Sequence, residues 1–199
     1  TELYNPADFD KRAILKSYKL DVKKITIAFI GRLHPQKGLD VFLALAESMA
    51  INQRFQFVIT GDGEFRRTVE DKVKLNNNLV YLGYMPSVEK VLAMTDILIC
   101  PSLYEGAPLI GLEAAAMNTT VIAPNLVGFK EQIEEGKFGV LYDASLDLQE
   151  DIYMLRCLLE GDVDALVALG SNGRDFIKKY HAFDVVKHQY ADELKEFFG

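Results

Sequence analysis

Tryptophan is absent from this 199-residue chain, and cysteine, histidine and proline are sparse, at two, three and six residues. The cysteines, Cys100 and Cys157, stand far apart with no metal-ligand spacing, a usage that suits a reducing compartment. Basic side chains are in the minority: 22 Lys and Arg face 29 Asp and Glu, for a net charge of −7. That balance argues against nucleic acid as the main partner, because phosphate backbones demand a basic surface. Any phosphate bound here must be held by a local site. No apolar run reaches the length of a membrane span, and the first residues carry no secretory signal. Internal repeats and low-complexity tracts are missing too. From these absences a cytoplasmic protein is expected.

What is present is ordinary for a globular chain: 49% of residues are hydrophobic and 26% charged, and the length fits one domain, residues 1–199, with a sizeable core. An amphipathic helix is expected over 8–18, with Phe9, Ile14 and Leu15 inward. Between residues 24 and 160, β-prone runs at 24–30, 55–60, 79–82, 97–100, 120–123 and 138–142 alternate with helical stretches. The unbroken apolar run Ile25, Thr26, Ile27, Ala28, Phe29, Ile30 indicates a strand buried on both faces. From Asp147 onward the pattern is helical, with breaks expected at Gly161 and near Asn172-Gly173. Alternating strands and helices predict an α/β fold, a right-handed, doubly wound parallel sheet of Rossmann type with extra C-terminal helices. In such sheets ligands bind beyond the carboxyl ends of the strands where strand order reverses, which for this order lies between the first and fourth strands.

The loops after those two strands carry the unusual residues. After the first comes Gly31-Arg32-Leu33-His34-Pro35-Gln36-Lys37-Gly38, in which two cations bracket a turn. His34 is read as a surface residue. After the fourth comes Pro101-Ser102-Leu103-Tyr104-Glu105-Gly106-Ala107-Pro108, leading into a helix over 109–117 whose first turn is marked by Pro108. The N–H groups of Ala107 and Leu109 there offer a local site for an anion. Glu113 is the only polar side chain between Leu109 and Met117. Such a carboxylate must find hydrogen-bond donors or carry a desolvation penalty. Sugar and ribose hydroxyls are suitable donors; the alternative is a structural ion pair with a distant Lys or Arg.

Glu105 and Glu113, with seven residues between them and Pro-Ser ahead of them, resemble the E-x7-E signature of retaining glycosyltransferases of the GT-B fold, family 4. Arg32 and Lys37 resemble the same family's G-R-L-x3-K-G motif. The resemblance implies that Arg32 and Lys37 hold the donor diphosphate, that Glu105 contacts the donor sugar, that these three act in catalysis, and that Glu113 holds the ribose. It places Gly61 and Gly63 near the nucleotide, where a Gly-x-Gly after a strand is otherwise often only a turn. Tyr84 and Met85 would border the base, or simply pack. Gly31, Gly106, Ala107, Pro108 and Leu109 complete the implied donor site. Residues 1–6 resemble the segment joining the two halves of such an enzyme, so the chain would be the C-terminal, donor-binding half. Relatives usually carry Gly-Gly-x-x-Glu where this chain has Val127-Gly128-Phe129-Lys130-Glu131, and a Gly at Asn118.

The implied activity is transfer of a sugar from a UDP-, GDP- or ADP-sugar, with retention, to a glycan, lipid-linked or other acceptor. The full-length protein would work in the cytoplasm or at the inner face of the membrane. Asp8-Phe9-Asp10 and Asp162-Val163-Asp164 spell D-x-D, but each opens a predicted helix and reads as a cap, so neither a metal nor a cofactor is expected. Two rivals remain: a GT-B-fold sugar-nucleotide epimerase, and a non-catalytic receiver-like signalling domain, which needs acidic residues where this chain has Gly31 and Arg32.

Overall fold

The sheet is built around the apolar run of residues 25–30. In a computed structural model that describes residues 2–145 and 147–198, this run is strand β1 (Ile25–Ile30), flanked by β2 (Phe55–Thr60) and β4 (Ile97–Ile99). With β3 (Leu79–Tyr81), β5 (Thr120–Pro124) and β6 (Gly139–Tyr142), the sheet is six-stranded and parallel in the order β3-β2-β1-β4-β5-β6. That is the Rossmann order; a receiver domain has the flavodoxin-like order 2-1-3-4-5, so the receiver reading fails on topology. The first two strands pair along their whole length, from Ile25 opposite Phe55 to Ile30 opposite Thr60.

Side chains alternate across the sheet and divide the core in two. Ile27, Phe29, Phe57, Ile59, Ile97 and Ile99 belong to one apolar layer, with Phe42 and Leu45 of α2 (Leu39–Ser48), Val69 of α3 (Arg66–Leu75) and Leu155 of α7 (Leu148–Glu160). Ala28, Val58, Leu98 and Val121 belong to the other, with Leu15 of α1 (Lys11–Ser17), Leu92 of α4 (Val88–Met94), Ala114 and Ala115 of α5 (Leu109–Ala116) and Phe129 of α6 (Val127–Gly136). Burial on both faces is why the central strands read as continuous apolar runs.

Beyond α7 the chain continues through α8 (Val163–Ala168), α9 (Ser171–Phe176), a π-turn at Ile177–His181 and α10 (Phe183–Phe198). The break at Gly161 is present. The second expected break falls at Leu169 and Gly170 instead of Asn172-Gly173, because Gly173 serves packing: a Cβ there would lie 2.7 Å from Cα of Ala115. The helix expected over 8–18 also divides, into a 3₁₀ turn at Pro6–Asp8 and α1, since Phe9 is extended and Asp10 caps the Ala13 N–H at 3.0 Å. Asp162 likewise caps Ala165 at 3.0 Å. Thr1 of the expected joining segment lies outside the described residues.

Two backbone contacts bring the loops together at the carboxyl end of the sheet. Gly38 has φ +64°, and a Cβ on it would lie 1.8 Å from the carbonyl oxygen of Pro101. Gly61 has φ +139°, and a Cβ there would lie 1.8 Å from the carbonyl oxygen of Gly31. Only glycine fits either place. Gly83 offers a control, with φ +71° and open space around it. Gly83→Ala should cost about 1 to 2 kcal/mol, the penalty of a left-handed residue alone; Gly38→Ala should cost about 1 to 3 kcal/mol more for the steric conflict. Urea unfolding of both variants reads the difference, and equal losses would show that the β1 and β4 loops need no such contact.

Candidate functional site

The cleft above β1 and β2 opens where Ile30 gives way to Gly31. The Gly31 N–H donates to the Thr60 carbonyl at 3.1 Å, and the Tyr81 hydroxyl donates to the Gly61 carbonyl at 2.8 Å, so the two strand exits are fixed to each other and to β3. Between them lies a cleft of about 370 Å³ lined by Ile30, Gly31, Arg32, Thr60, Gly61, Asp62, Tyr84, Met85 and Val88. Arg32 is exposed on its wall, and its side chain makes no hydrogen bond or ion pair among the described residues. Tyr84 is 71% exposed. Met85 is half-buried, its sulfur 3.9 Å from the Tyr18 hydroxyl, so it packs and lines the cleft at once. Gly63 lies just outside this lining, its N–H donating to Asp62 Oδ1 at 2.8 Å.

Across Ile30 from this cleft is a small polar recess bordered by Lys37, Cys100, Ser102, Glu105 and Ile110. The loops after β1 and β4 form it together. Beyond the Gly38–Pro101 contact, the Leu103 N–H donates to the Gln36 carbonyl at 2.8 Å, and Gln36 Nε2 donates to the Tyr104 carbonyl at 3.3 Å. This register sets Lys37 against Glu105: its ammonium pairs with Glu105 Oε1, and the Ser102 hydroxyl donates to the same oxygen at 3.0 Å. Glu105 Oε2 has no partner among the described residues. The pair is largely enclosed, with side-chain exposures of 29% for Lys37 and 11% for Glu105. Beneath it burial pushes the Cys100 thiol up to about 12, with Lys37 pulling it down and Glu105 raising it further.

Helix α5 runs from Leu109, the expected first residue, to Ala116. Pro108 is extended (φ −72°, ψ 101°) and precedes the helix rather than opening its first turn. The N–H groups of Ala107 and Leu109 have no partner among the described residues, leaving donors free at the head of the helix. Its placement is held from α6, where Gln132 Nε2 donates to the Pro108 carbonyl at 3.3 Å and Gly128 fits against Gly106. Leu109 is 70% exposed.

Glu113 is half-buried on α5 and accepts a hydrogen bond from the Tyr4 hydroxyl at 2.8 Å on Oε1. Neither Lys nor Arg pairs with it among the described residues, so the ion-pair alternative is replaced by a neutral donor. Burial, then the carboxylate, raise the Tyr4 phenol above its ordinary range.

The structure thus joins Lys37 to Glu105, gathers Gly31, Arg32, Gly61, Tyr84 and Met85 around one cleft, and sets Gly106, Ala107, Pro108 and Leu109 at the head of α5. Sequence reasoning missed two partners. Ser102 was visible only as part of the Pro-Ser preceding Glu105, and Tyr4 carried no signal, being 109 residues from Glu113. No group of three or more His, Cys, Asp or Glu side chains is placed to hold a metal among the described residues.

Comparison with known proteins gives these positions a context. The family model for glycosyl transferases group 1 matches residues 10–176. The UDP-Gal:alpha-D-GlcNAc-diphosphoundecaprenol alpha-1,3-galactosyltransferase of Escherichia coli is 28% identical over 193 residues, covering 92% of this chain and 48% of that protein. The alpha-maltose-1-phosphate synthase of Mycolicibacterium smegmatis is 25% identical, covering 88% of this chain and 47% of that protein. Among solved structures, Anabaena HepE in complex with UDP and glucose superposes with a TM-score of 0.78 at 20% identity, over 98% of this chain and 54% of that one. The C-terminal domain of the glycosyl transferase group 1 family protein LpcC from Francisella tularensis superposes at 0.75 with 23% identity, over 92% of this chain and 97% of that one. At these identities the structural likeness shows the fold. The chain spans about half the length, or less, of the curated relatives it matches.

The buried recess predicts selective thiol chemistry. The thiolate is the nucleophile, and Cys100 is enclosed and held protonated well above neutral pH, whereas Cys157 is exposed. Iodoacetamide at pH 8.5 should modify Cys157 in the native protein and reach Cys100 only in denaturant, as peptide mass spectrometry would report. Equal modification of both in the native state would mean that the recess opens freely.

Proposed function

The chain belongs to the glycosyl transferases group 1 family, and from that membership we propose that residues 1–199 form the donor-binding half of a retaining GT-B enzyme that transfers a sugar from a nucleoside diphosphate sugar. The observation that carries this reading is the pairing of Lys37 with Glu105 between the β1 and β4 loops. Two loops 68 residues apart meet at the topological switch point, where open α/β sheets bind their ligands.

Arg32 and Lys37 receive the donor diphosphate, and the N–H groups of Ala107 and Leu109 add donors at the helix head. As the glycosidic bond breaks, the leaving phosphate gains charge, so charge-assisted bonds from the two cations strengthen in the transition state. Glu105 keeps Oε2 for a hydroxyl of the transferred sugar, since Lys37 and Ser102 both occupy Oε1. Glu113 in the same way keeps one oxygen for the ribose hydroxyls. The cleft walled by Tyr84 and Met85, with Gly61 at its base and Gly63 on the adjoining loop, takes the nucleoside. The UDP held by Anabaena HepE and the UDP-Gal donor named for the Escherichia coli relative favour a uridine nucleotide. Positive charge comes from side chains, so binding proceeds without a metal, and the acceptor is held by the remaining length found in relatives.

Two measurements test the assignment. In calorimetry Glu113→Gln should weaken nucleoside diphosphate and nucleotide sugar alike, by about 1.5 to 3 kcal/mol for a hydrogen bond to a charged acceptor, while Glu105→Gln should spare the diphosphate and weaken the sugar nucleotide. Losses that do not separate in this way would assign both carboxylates to scaffold. Titration of the nucleotide with and without EDTA should give one affinity; a loss restored by Mg²⁺ or Mn²⁺ would overturn the metal-free site.

A further inference from the structure

Glu113 is held by more than its own helix. Segment 2–6 reaches α5 through Tyr4, whose hydroxyl donates to Glu113 Oε1 at 2.8 Å. The carbonyl of the same Tyr4 accepts from an Arg174 guanidinium nitrogen at 2.7 Å, and that nitrogen also donates to the Ala116 carbonyl, at the last residue of α5, at 2.8 Å. A second Arg174 nitrogen donates to Asn5 Oδ1 at 2.8 Å. Arg174 therefore ties the backbone of Tyr4 to the C-terminal end of the helix that carries Glu113. The phenol is left aimed at the carboxylate.

The chemistry of the donor matters. An Arg or Lys partner would neutralise Glu113 and compete with any ligand for it. A phenol orients the carboxylate while leaving its negative charge, and hence its strength as an acceptor, in place. The remaining polar neighbours do not substitute: α5 supplies only Leu, Ile, Gly and Ala around Glu113. Without the Tyr4 hydroxyl, Oε1 has no donor among the described residues and the side chain is free to change rotamer.

From this geometry we infer that Tyr4 is a positioning residue for Glu113: it holds Oε1 so that Oε2 is presented to the two ribose hydroxyls of the nucleotide, with Arg174 fixing Tyr4 in turn. The gain is pre-organisation, because the carboxylate is oriented before the ligand arrives. The inference rests on the reading that Glu113 receives the ribose.

A double-mutant cycle tests it. Whichever of UDP, GDP or ADP binds most tightly is titrated by calorimetry, beside its 2′,3′-dideoxy counterpart, into the parent chain, Tyr4→Phe, Glu113→Gln and the double variant. Tyr4→Phe keeps the ring and removes only the hydroxyl. It should weaken the ribonucleotide about 3- to 10-fold, the range for one ordinary hydrogen bond, and leave the dideoxynucleotide unchanged. The double variant should bind no more weakly than Glu113→Gln alone, since Tyr4 acts only through that carboxylate. A merely structural role for Tyr4 would weaken both nucleotides equally and overturn the inference. Full ribonucleotide affinity in Tyr4→Phe, with a loss in Glu113→Gln, would overturn it while sparing the ribose assignment. No loss in Glu113→Gln would remove that assignment and the role of Tyr4 with it.

Discussion

At the carboxyl end of the sheet, backbones meet with no side chain between them. Gly61 lies against the Gly31 carbonyl and Gly38 against the Pro101 carbonyl, each so close that a single added carbon would sit 1.8 Å from oxygen. The rest of the ligand end depends on these approaches. The first joins the exits of β1 and β2, and so forms the cleft that Arg32 flanks. The second joins the loop after β1 to the loop after β4, and so brings an ammonium to a carboxylate across 68 residues of chain.

Why such approaches are tolerated follows from the sheet beneath. Ile27, Ala28, Ile97 and Leu98 are wholly buried, and the two apolar layers clamp these strands from both sides. A rigid base of this kind can hold polar groups in partial burial with few partners each. Lys37 and Glu105 illustrate the balance: removing either would leave an enclosed charge without its counterion, which costs far more than an exposed ion pair contributes. The neutral Tyr4 contact on Glu113 is a second solution to the same problem, orientation without neutralisation.

Much of this was legible in the chain itself, for local reasons. The unbroken run Ile25–Ile30 revealed a strand buried on both faces, and the two D-x-D stretches read as helix caps, a role that Asp10 and Asp162 fill, because period and cap chemistry depend on residues within a turn of each other. Even the meeting of the β1 and β4 loops followed from strand alternation and the switch-point rule. Boundaries set by packing were less visible. Pro108 sits just ahead of α5 instead of within its first turn, and Gly173 lies inside a helix because it must clear Ala115.

Sequence alone therefore determined the α/β class, the two loops that matter and the residue types gathered on them, since each is written in short-range pattern. Tertiary structure alone decided which oxygen of each glutamate is occupied, that Ser102 joins Lys37 on Glu105, that Tyr4 reaches Glu113 across 109 residues, and that Arg174 reaches Tyr4 across 170. The physical reason is range. Periodicity and capping act within a few residues, whereas a hydrogen bond between distant segments exists only after the packed core has fixed the distance between them.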